Sequence, residues 1–404
     1  MQDHQLPAWA HDATLGIFIH WGAYSVPAWA EPSGAWGAVP PEDWFAHNAY
    51  AEWYANTIRI EGSPAAQHHL AEFGGIPYVE LLDIWRAESF DPVDWARLFA
   101  SVGADYVVPV TKHHDGIALW DAPGARGLST VERGPRRDLI GPLAEAVRGE
   151  GLRFGVYYSG GLDWHVTDHP PITSMAHVED FRPADAAYSE YATSQVRDLI
   201  ERYEPCVVWN DINWPDAGQH DGTLDDLRSF YRSVVPDGIV NDRWGRMDLA
   251  DYRTSEYAFD TSNELGSGWE HCRGLGYSFG YNRVEDASLT LSPRELATVY
   301  ADVVSRGGRL LLNVGPDADG RIPEVQRRTL EGIATWMQAL KPLTADRRVL
   351  TPGQVAVRGA EEDLWWRGWW HKQQLVVITN DPDIDVEARD TEEVRIVELP
   401  RDDA

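Results

Sequence analysis

The chain has 404 residues, 43% hydrophobic and 25% charged, a globular composition that excludes collagen-like, coiled-coil and wholly disordered proteins. Its 64 acidic residues outnumber 35 basic ones, and the formal charge of −29 repels phosphate backbones and anionic lipids. We therefore expect no nucleic-acid partner and no membrane partner. The length suffices for one large α/β domain followed by a small second domain.

The cysteine content and the N-terminal sequence bear on the compartment. Cys206 and Cys272 are the only cysteines, and each lies in an apolar segment, so a disulfide framework is not indicated. The N-terminus lacks the basic and apolar regions of a signal peptide, and no apolar run is long enough to cross a membrane. We expect a cytoplasmic protein, or a secreted one if a signal peptide has been removed. The sequence does not indicate an oligomeric state.

Strands alternate with amphipathic helices over the first 340 residues, which indicates parallel βα units. About eight such units predict a (β/α)8-like barrel. A doubly wound open sheet is the alternative, but the glycine-rich phosphate loop expected after its first strand is missing. The predicted strands cover 15–22, 105–110, 153–158, 207–211, 239–243, 252–257, 274–281 and 309–314. The predicted helices cover 41–60, 91–99, 139–148, 186–203, 224–234, 293–305 and 323–340.

The alternation stops near residue 342. Short β segments at 355–357, 364–370, 375–378 and 394–399 are separated by Gly, Asp and Pro. We predict a barrel domain over residues 1–341 and a small C-terminal β domain over residues 342–404. The tryptophan-rich segment 365–370 suits carbohydrate binding, but packing against the barrel is the interpretation we favour.

Polar side chains collect where the predicted strands end. A barrel brings the carboxyl ends of its strands to one mouth, where its active site lies. An aspartate at a strand end is often only a cap or turn residue, so Asp211 is not diagnostic by itself. The polar strand-end residues are His20, His113, His114, Asp115, Tyr158, Trp209, Asp211, Arg243 and Glu256.

Several kinds of chemistry lack support in the sequence. Adjacent strand side chains point to opposite faces, so His113 and His114 cannot both bind one ion unless the strand has already ended. The sequence has no His-x-His and no His-Glu-x-x-His, and we expect neither a metal nor a cofactor. Carboxylates with His, Arg, Tyr and 19 Trp suit glycoside hydrolysis, in which one carboxylate attacks and a second carboxyl group protonates the leaving oxygen. Flat aromatic faces match the C–H surfaces of sugars, although most of these rings must fill the core.

Six motifs stand in order along the chain, at Gly16–Pro27 (GIFIHWGAYSVP), Glu52–Tyr54 (EWY), Thr111–Trp120 (TKHHDGIALW), Trp209–Asp211 (WND), Trp269–Gly274 (WEHCRG) and Ser305–Pro316 (SRGGRLLLNVGP). Together they resemble the α-L-fucosidases of glycoside hydrolase family 29.

The resemblance implies a retaining exo-α-L-fucosidase that acts on terminal fucosyl linkages of an oligosaccharide or glycoside through a glycosyl-enzyme. It implies that Asp211 is the nucleophile. Neutral histidines, a carboxylate and an arginine can hydrogen-bond sugar hydroxyls, and a tryptophan can cover the methyl face of fucose. The residues that resemble the groups around the sugar are His20, Trp44, Glu52, Trp53, His113, His114, Tyr158, Trp209 and Arg243.

Two residues compete for the role of general acid. Glu256 is favoured because it follows Arg243 and Asp251 in an arrangement that resembles one main branch of the family, and Glu270 is the alternative. A related activity such as α-L-galactosidase, and a catalytically weak carbohydrate-binding protein on the same fold, remain open. A metal-dependent barrel hydrolase is a more distant alternative.

Overall fold

A computed structural model describes residues 6–34, 37–258, 268–359, 363–389, 391 and 393–402. Its main sheet consists of Leu15–Ile19 (β1), Tyr106–Lys112 (β2), Arg153–Phe154 (β3), Val156–Ser159 (β4), Val207–Asp211 (β5), Ile239–Val240 (β6), Arg253–Glu256 (β7), Trp269–Gly274 (β8) and Arg309–Val314 (β9). The strands lie in the order β6-β5-β4-β2-β1-β9-β8-β7, and β3 pairs with β2 just ahead of β4.

All ladders of the main sheet are parallel, and the two edges of the sheet approach each other. Within the described residues no ladder joins β6 to β7, but the N–H of Asp251 donates to the carbonyl of Val240 over 3.0 Å. The N–H of Thr254 donates to Asp242 Oδ1 over 3.1 Å. The predicted (β/α)8-like barrel is thus confirmed, with one irregular seam.

Strands such as β1, β5 and β9 are buried on both faces, as is usual when helices cover a parallel sheet, whereas the edge strand β7 is partly exposed. Side chains alternate between the barrel interior and the layer under the helices. Phe18, Tyr157 and Trp209 pack together inside the barrel, whereas Tyr158 and Val208 belong to the outer core. This alternation decides which strand residues can reach the active-site mouth.

Six predicted helices, 91–99, 139–148, 186–203, 224–234, 293–305 and 323–340, are confirmed to within a few residues, and several short helices were not predicted. The observed helices are Ala8–Asp12 (α1), Trp44–His47 (α2), Tyr54–Thr57 (α3), Pro64–Phe73 (α4), Glu80–Ile84 (α5), Pro92–Ser101 (α6), Ile140–Gly149 (α7), Met175–Asp180 (α8), Ala186–Tyr203 (α9), Asp216–His220 (α10), Thr223–Val234 (α11), Pro293–Ser305 (α12) and Glu324–Leu340 (α13), with short 3₁₀ turns at Ala23–Ser25, Ala51–Trp53 and Lys341–Leu343. In the described residues no helix is long and apolar enough to cross a membrane.

One predicted helix, 41–60, was wrong as a continuous element. It is split into α2, a 3₁₀ turn and α3. Asn48 causes the break, because its amide donates to the carbonyl of Phe45 while its Oδ1 accepts from the N–H of Tyr50. Such a local side-chain to backbone bond competes with helix continuation. The interruption places Tyr50 and Glu52 on a turn that faces the barrel mouth.

One predicted strand, 274–281, was also wrong. The observed strand in this region is β8, which ends at Gly274, the residue where the predicted strand began. The following segment is a loop whose amides bind carboxylates, since the N–H groups of Tyr277 and Ser278 both donate to Glu285 Oε1. The sequence analysis missed β8 because its residues are polar, and polar residues are not expected inside a barrel unless they are paired.

The C-terminal part forms two small sheets, in agreement with the predicted β domain. The indole of Trp369 is buried and donates to the carbonyl of Leu343 over 2.8 Å, so at this position the tryptophan-rich segment packs rather than binds. The strands are Arg347–Val349 (β10), Val355–Arg358 (β11), Trp366–His371 (β12), Gln374–Thr379 (β13), Asp385–Ala388 (β14) and Val394–Glu398 (β15), in sheets ordered β10-β12-β13-β15 and β11-β14. The division at residue 341 stays a prediction.

Candidate active site

A cavity of about 380 Å³ opens at the carboxyl ends of the barrel strands, a volume within the range of small-molecule sites. Aromatic rings form much of its wall, and carboxyl, imidazole and guanidinium groups also line it. Ten of the residues proposed from the sequence line it: His20, Trp44, Glu52, Trp53, His113, His114, Trp209, Asp211, Arg243 and Glu256.

Asp211 ends β5 with its carboxylate held from several sides. Its Oδ2 accepts a hydrogen bond from the Tyr157 hydroxyl at 3.0 Å, and its Oδ1 accepts from Arg243 Nη1 at 3.0 Å. His114 Nε2 lies 3.8 Å from Oδ2. Burial favours a higher pKa for Asp211, but the charge of Arg243, together with its hydrogen bond and that of Tyr157, holds the pKa below its usual value. The carboxylate is therefore ionised and oriented.

The backbone turns sharply directly after Asp211. Ile212 and Asn213 both adopt positive φ angles, 56° and 67°, which is uncommon for a β-branched residue such as isoleucine. The segment around Gly161 packs directly against this turn. A Cβ at Gly161 would lie 1.5 Å from the carbonyl oxygen of Ile212, so only glycine is accommodated there. The strain is located beside the proposed reacting group, as is common at functional sites.

Arg243 joins the two carboxylates proposed for catalysis. Its Nη1 donates to Asp211 Oδ1 and its Nη2 donates to Glu256 Oε2, each over 3.0 Å. Its Nε donates to Thr254 Oγ1, and its guanidinium lies 4.7 Å from the centre of the Trp209 ring. One planar cation therefore sets the spacing between the two acidic groups.

Glu256 lies nearer to solvent than Asp211. Its side chain is 28% exposed, compared with 12% for Asp211. The hydroxyl of Tyr50 donates to Glu256 Oε1 over 3.1 Å. Glu256 thus lies near the opening of the cavity, on the side from which a leaving group would depart.

Two histidines present one unprotonated nitrogen each. His20 Nδ1 lies 2.7 Å from Asn313 Oδ1, which can only accept, so the proton is on Nδ1. His114 Nδ1 lies 2.7 Å from Ser159 Oγ, whose own hydroxyl donates to the carbonyl of Leu162. Burial lowers the pKa of His20 to about 3 and that of His114 to about 4. Both rings are neutral near pH 7, with Nε2 able to accept a hydrogen bond.

His113 and Trp53 complete the side wall. The His113 ring stacks on Tyr157 with centroids 5.6 Å apart, and burial lowers its pKa well below the usual value. Trp53 packs edge-on against His114 at 5.4 Å. Although the two histidines are consecutive, both line the cavity, because β2 ends at Lys112.

Glu52 is a buried carboxyl group that also lines the cavity. Its Oε2 accepts from the N–H of Gly280 at 2.7 Å and from Ser278 Oγ at 3.4 Å. Burial raises the pKa of Glu52 to about 7 despite these hydrogen bonds. A group with this pKa can either donate to or accept from a sugar hydroxyl near neutral pH.

Tyr158 does not line the cavity, contrary to the expectation from the sequence. It lies in the outer core, where its hydroxyl donates to Gln195 Oε1. The preceding residue, Tyr157, points inward and binds Asp211. The period-two alternation of a strand is the signal that was missed. If Asp211 and Trp209 point inward on β5, then Tyr157, the register partner of Trp209 on β4, also points inward.

Glu270 also lies outside the cavity. It is fully buried in the barrel, where Arg309 Nε donates to its Oε2 at 3.0 Å and the indole of Trp209 donates to its Oε1 at 3.0 Å. The hydroxyl of Tyr106 donates to Oε2 at 2.5 Å. The Glu270 carboxylate lies beneath the indole of Trp209, which lines the cavity, and has no access to a leaving oxygen.

The described residues contain no group of three or more His, Cys, Asp or Glu side chains arranged to hold a metal ion. The residues that line the cavity offer carboxyl groups, imidazole and guanidinium groups that can hydrogen-bond hydroxyls, and aromatic faces.

The chain is similar to known α-L-fucosidases. The family described as Alpha-L-fucosidase matches residues 1–341. An α-L-fucosidase from Dictyostelium discoideum is 33% identical over 341 residues, covering 82% of this chain and 70% of that protein, and the human tissue α-L-fucosidase is 30% identical over 345 residues, covering 83% and 68%.

The fold is similar to that of solved fucosidase structures. A Thermotoga maritima α-L-fucosynthase in complex with α-L-Fuc-(1-2)-β-L-Fuc-N3 is 43% identical with a TM-score of 0.87, covering 94% of this chain and 84% of that one. The Thermotoga maritima α-fucosidase in complex with a mechanism based inhibitor is 42% identical with a TM-score of 0.85 and the same coverage. The chain therefore belongs to the α-L-fucosidase family of glycoside hydrolases.

Proposed function

We propose that this enzyme is a retaining exo-α-L-fucosidase that hydrolyses terminal α-L-fucosyl linkages through a covalent glycosyl-enzyme at Asp211. The observation that carries the proposal is the single guanidinium of Arg243 bound to both Asp211 and Glu256 at the mouth of the barrel. A retaining mechanism requires two carboxyl groups about 5–5.5 Å apart. A planar cation bonded to both is a means of holding such a pair.

In the first step, the ionised carboxylate of Asp211 attacks the anomeric carbon while Glu256 gives its proton to the departing oxygen. The depressed pKa of Asp211 keeps the nucleophile charged, and Tyr157 and Arg243 hold its orientation. Glu256 lies on the open side, where the leaving group exits.

In the second step, a water molecule attacks the glycosyl-enzyme and Glu256, now ionised, accepts its proton. The sugar hydroxyls would be bound by the neutral histidines, chiefly His20 and His114, and by Glu52. Trp53 would cover an apolar face of the ring. The substrate class is supported by the fucosyl ligand named for the Thermotoga structure.

Azide trapping tests the assignment of the two carboxylates. In Glu256→Ala, azide replaces water on the covalent intermediate, so an aryl α-L-fucoside should yield α-L-fucosyl azide. In Asp211→Ala, azide takes the place of the nucleophile, so the product should be the β anomer. Glu270→Ala should show no rescue. Near-normal turnover by Asp211→Ala, or rescue of Glu270→Ala instead of Glu256→Ala, would overturn the mechanism.

An α-L-galactoside assayed beside the fucoside distinguishes the related activity. Binding of fucose without turnover by the wild-type enzyme would instead identify a carbohydrate-binding protein.

We also propose a cytoplasmic location, which is supported by the burial of two free thiols, Cys206 and Cys272. Fractionation of the native host tests it.

A further inference from the structure

Asn313 is a buried amide on β9 that contacts two residues of the cavity wall. It is 1% exposed and lies in register with Phe18 on β1, two residues before His20. Its side chain bonds to the ring of His20 and to the backbone of Phe279, and both of these residues line the cavity. Asn313 itself does not line the cavity, so it can act on a substrate only through its neighbours.

The orientation of the Asn313 amide is fixed by its bond to Phe279. Asn313 Nδ2 donates to the carbonyl oxygen of Phe279 over 2.6 Å. Because a carbonyl can only accept, the amide nitrogen must face Phe279 and Oδ1 must face His20. His20 Nδ1, 2.7 Å from that oxygen, therefore carries the ring proton. Burial lowers the pKa of His20 to about 3, so the ring is neutral and Nε2 is unprotonated.

His114 is held by a second acceptor of the same kind. Ser159 Oγ lies 2.7 Å from His114 Nδ1 and donates its own proton to the carbonyl of Leu162, so it accepts from the ring. The same tautomer is thus imposed on two histidines of the cavity by unrelated partners.

An unprotonated Nε2 distinguishes between substituents on a sugar ring. It accepts a hydrogen bond from a hydroxyl, but it gains no bond from a substituent that cannot donate, such as fluorine. With the proton on Nε2, the ring would donate instead, and either substituent could accept. The position of one proton therefore changes which substituents the cavity favours.

We propose that Asn313 is a positioning residue that determines substrate specificity by holding the ring proton of His20 on Nδ1. His20 is then an obligatory acceptor for one hydroxyl of the fucose ring. The specificity rests on the proposed fucosidase function, whereas the tautomer can be measured without turnover.

Nitrogen-15 NMR of histidine-labelled enzyme near pH 8 reads the tautomer. The His20 signal is assigned by its loss in His20→Gln, and in the wild type it should show the proton on Nδ1. In Asn313→Leu a proton on Nδ1 would be a buried donor without a partner, so it should move to Nε2. Asn313→Asp should keep it on Nδ1, because a carboxylate holds an imidazole proton on the nitrogen that faces it. Ser159→Ala, which affects His114, should leave the His20 signal unchanged.

The kinetic test compares 4-nitrophenyl α-L-fucoside with its 2-, 3- and 4-deoxyfluoro analogues. In the wild type, one analogue loses the bond to Nε2. For that analogue the parent-to-fluoro ratio of kcat/KM should be about five-fold smaller in Asn313→Leu than in the wild type, and should be retained in Asn313→Asp. The intrinsic electronic effect of fluorine is the same for every variant and cancels. Asn380→Leu is the matched control, since Asn380 also bonds two backbone groups but lies in the C-terminal sheet region.

The outcomes separate the two levels of the proposal. A wild-type His20 with its proton on Nε2, or a proton that stays on Nδ1 in Asn313→Leu, overturns the role of Asn313. If Asn313→Leu does not fold, the spectra of the wild type and Asn313→Asp decide that role. A ratio that is unchanged in Asn313→Leu, or that falls equally in Asn380→Leu, overturns the specificity. A wild-type enzyme that cleaves no fucoside overturns the proposed function, and the specificity with it, while the tautomer is still decided by NMR.

Discussion

The hydroxyl of Tyr157 donates a hydrogen bond to Asp211 Oδ2 over 3.0 Å, and both residues point into the barrel from neighbouring strands. A hydrogen bond to a charged acceptor contributes about 1.5–3 kcal/mol. The bond also helps to hold the pKa of Asp211 below its usual value. Tyr157 thus positions the proposed nucleophile.

Tyr157→Phe should lower kcat/KM for an aryl fucoside about 10- to 100-fold, the range equivalent to loss of that hydrogen bond. The acid limb of the pH–rate profile should also move to higher pH, because the carboxylate of Asp211 loses a donor. Tyr158→Phe is the matched control, since its hydroxyl binds Gln195 outside the cavity. A larger loss in Tyr158→Phe than in Tyr157→Phe would contradict the geometry.

Arg243→Lys should lower kcat/KM about 100-fold although the positive charge is kept. An ammonium is a point charge and cannot donate in parallel to Asp211 and Glu256 as the planar guanidinium does. Arg246→Lys is the control, because Arg246 pairs with carboxylates at the surface. Steady-state kinetics of both variants check the prediction, and equal losses would argue against the bridging role.

Glu270→Ala should reduce the free energy of unfolding by about 3–5 kcal/mol, because Arg309 is left buried without its partner. Replacing both residues, as in Glu270→Leu with Arg309→Met, should cost less than the single change. Chemical denaturation of the three proteins measures this difference. A single variant as stable as the wild type would show that the pair does not hold the barrel interior.

The buried carboxyl group of Glu52 makes stability depend on pH. Its pKa is about 7 in the folded chain and about 4.5 unfolded, so the folded state binds the proton more tightly between these values. Stability from this group is fully present below pH 4.5 and is lost as pH rises to 7, by up to about 3 kcal/mol. Glu52→Gln should remove that loss. Urea unfolding of both proteins at pH 5 and pH 8 checks it; an equal pH dependence would refute the shift.

Much of the barrel was predictable because local patterns determine it. The capped helix after Asp91 was located from its aspartate and proline, and the side chain of Asp91 does accept from the N–H groups at Val93 and Asp94. The strand containing Val207 and Val208 was found from its apolar run. These features depend on residues close in sequence.

Other features depended on partners far along the chain. The strand at Trp269–Gly274 was missed because Glu270 is tolerable inside a barrel only when Arg309, 39 residues later, pairs with it. Tyr158 was placed in the site instead of Tyr157. Which face of β4 points into the barrel depends on how β4 pairs with the neighbouring strands, and the sequence of β4 alone does not show it.

By itself, the sequence determined that this chain forms a βα barrel with carboxylates, histidines and aromatic residues at its strand ends, because periodicity, caps and motifs are local. Tertiary structure alone decided which of those groups face one another. Arg243 reaches both Asp211 and Glu256, and Glu270 is held beneath the floor by Arg309. These pairings depend on strand register and barrel curvature, which bring distant residues within hydrogen-bond distance and which no short stretch of sequence encodes.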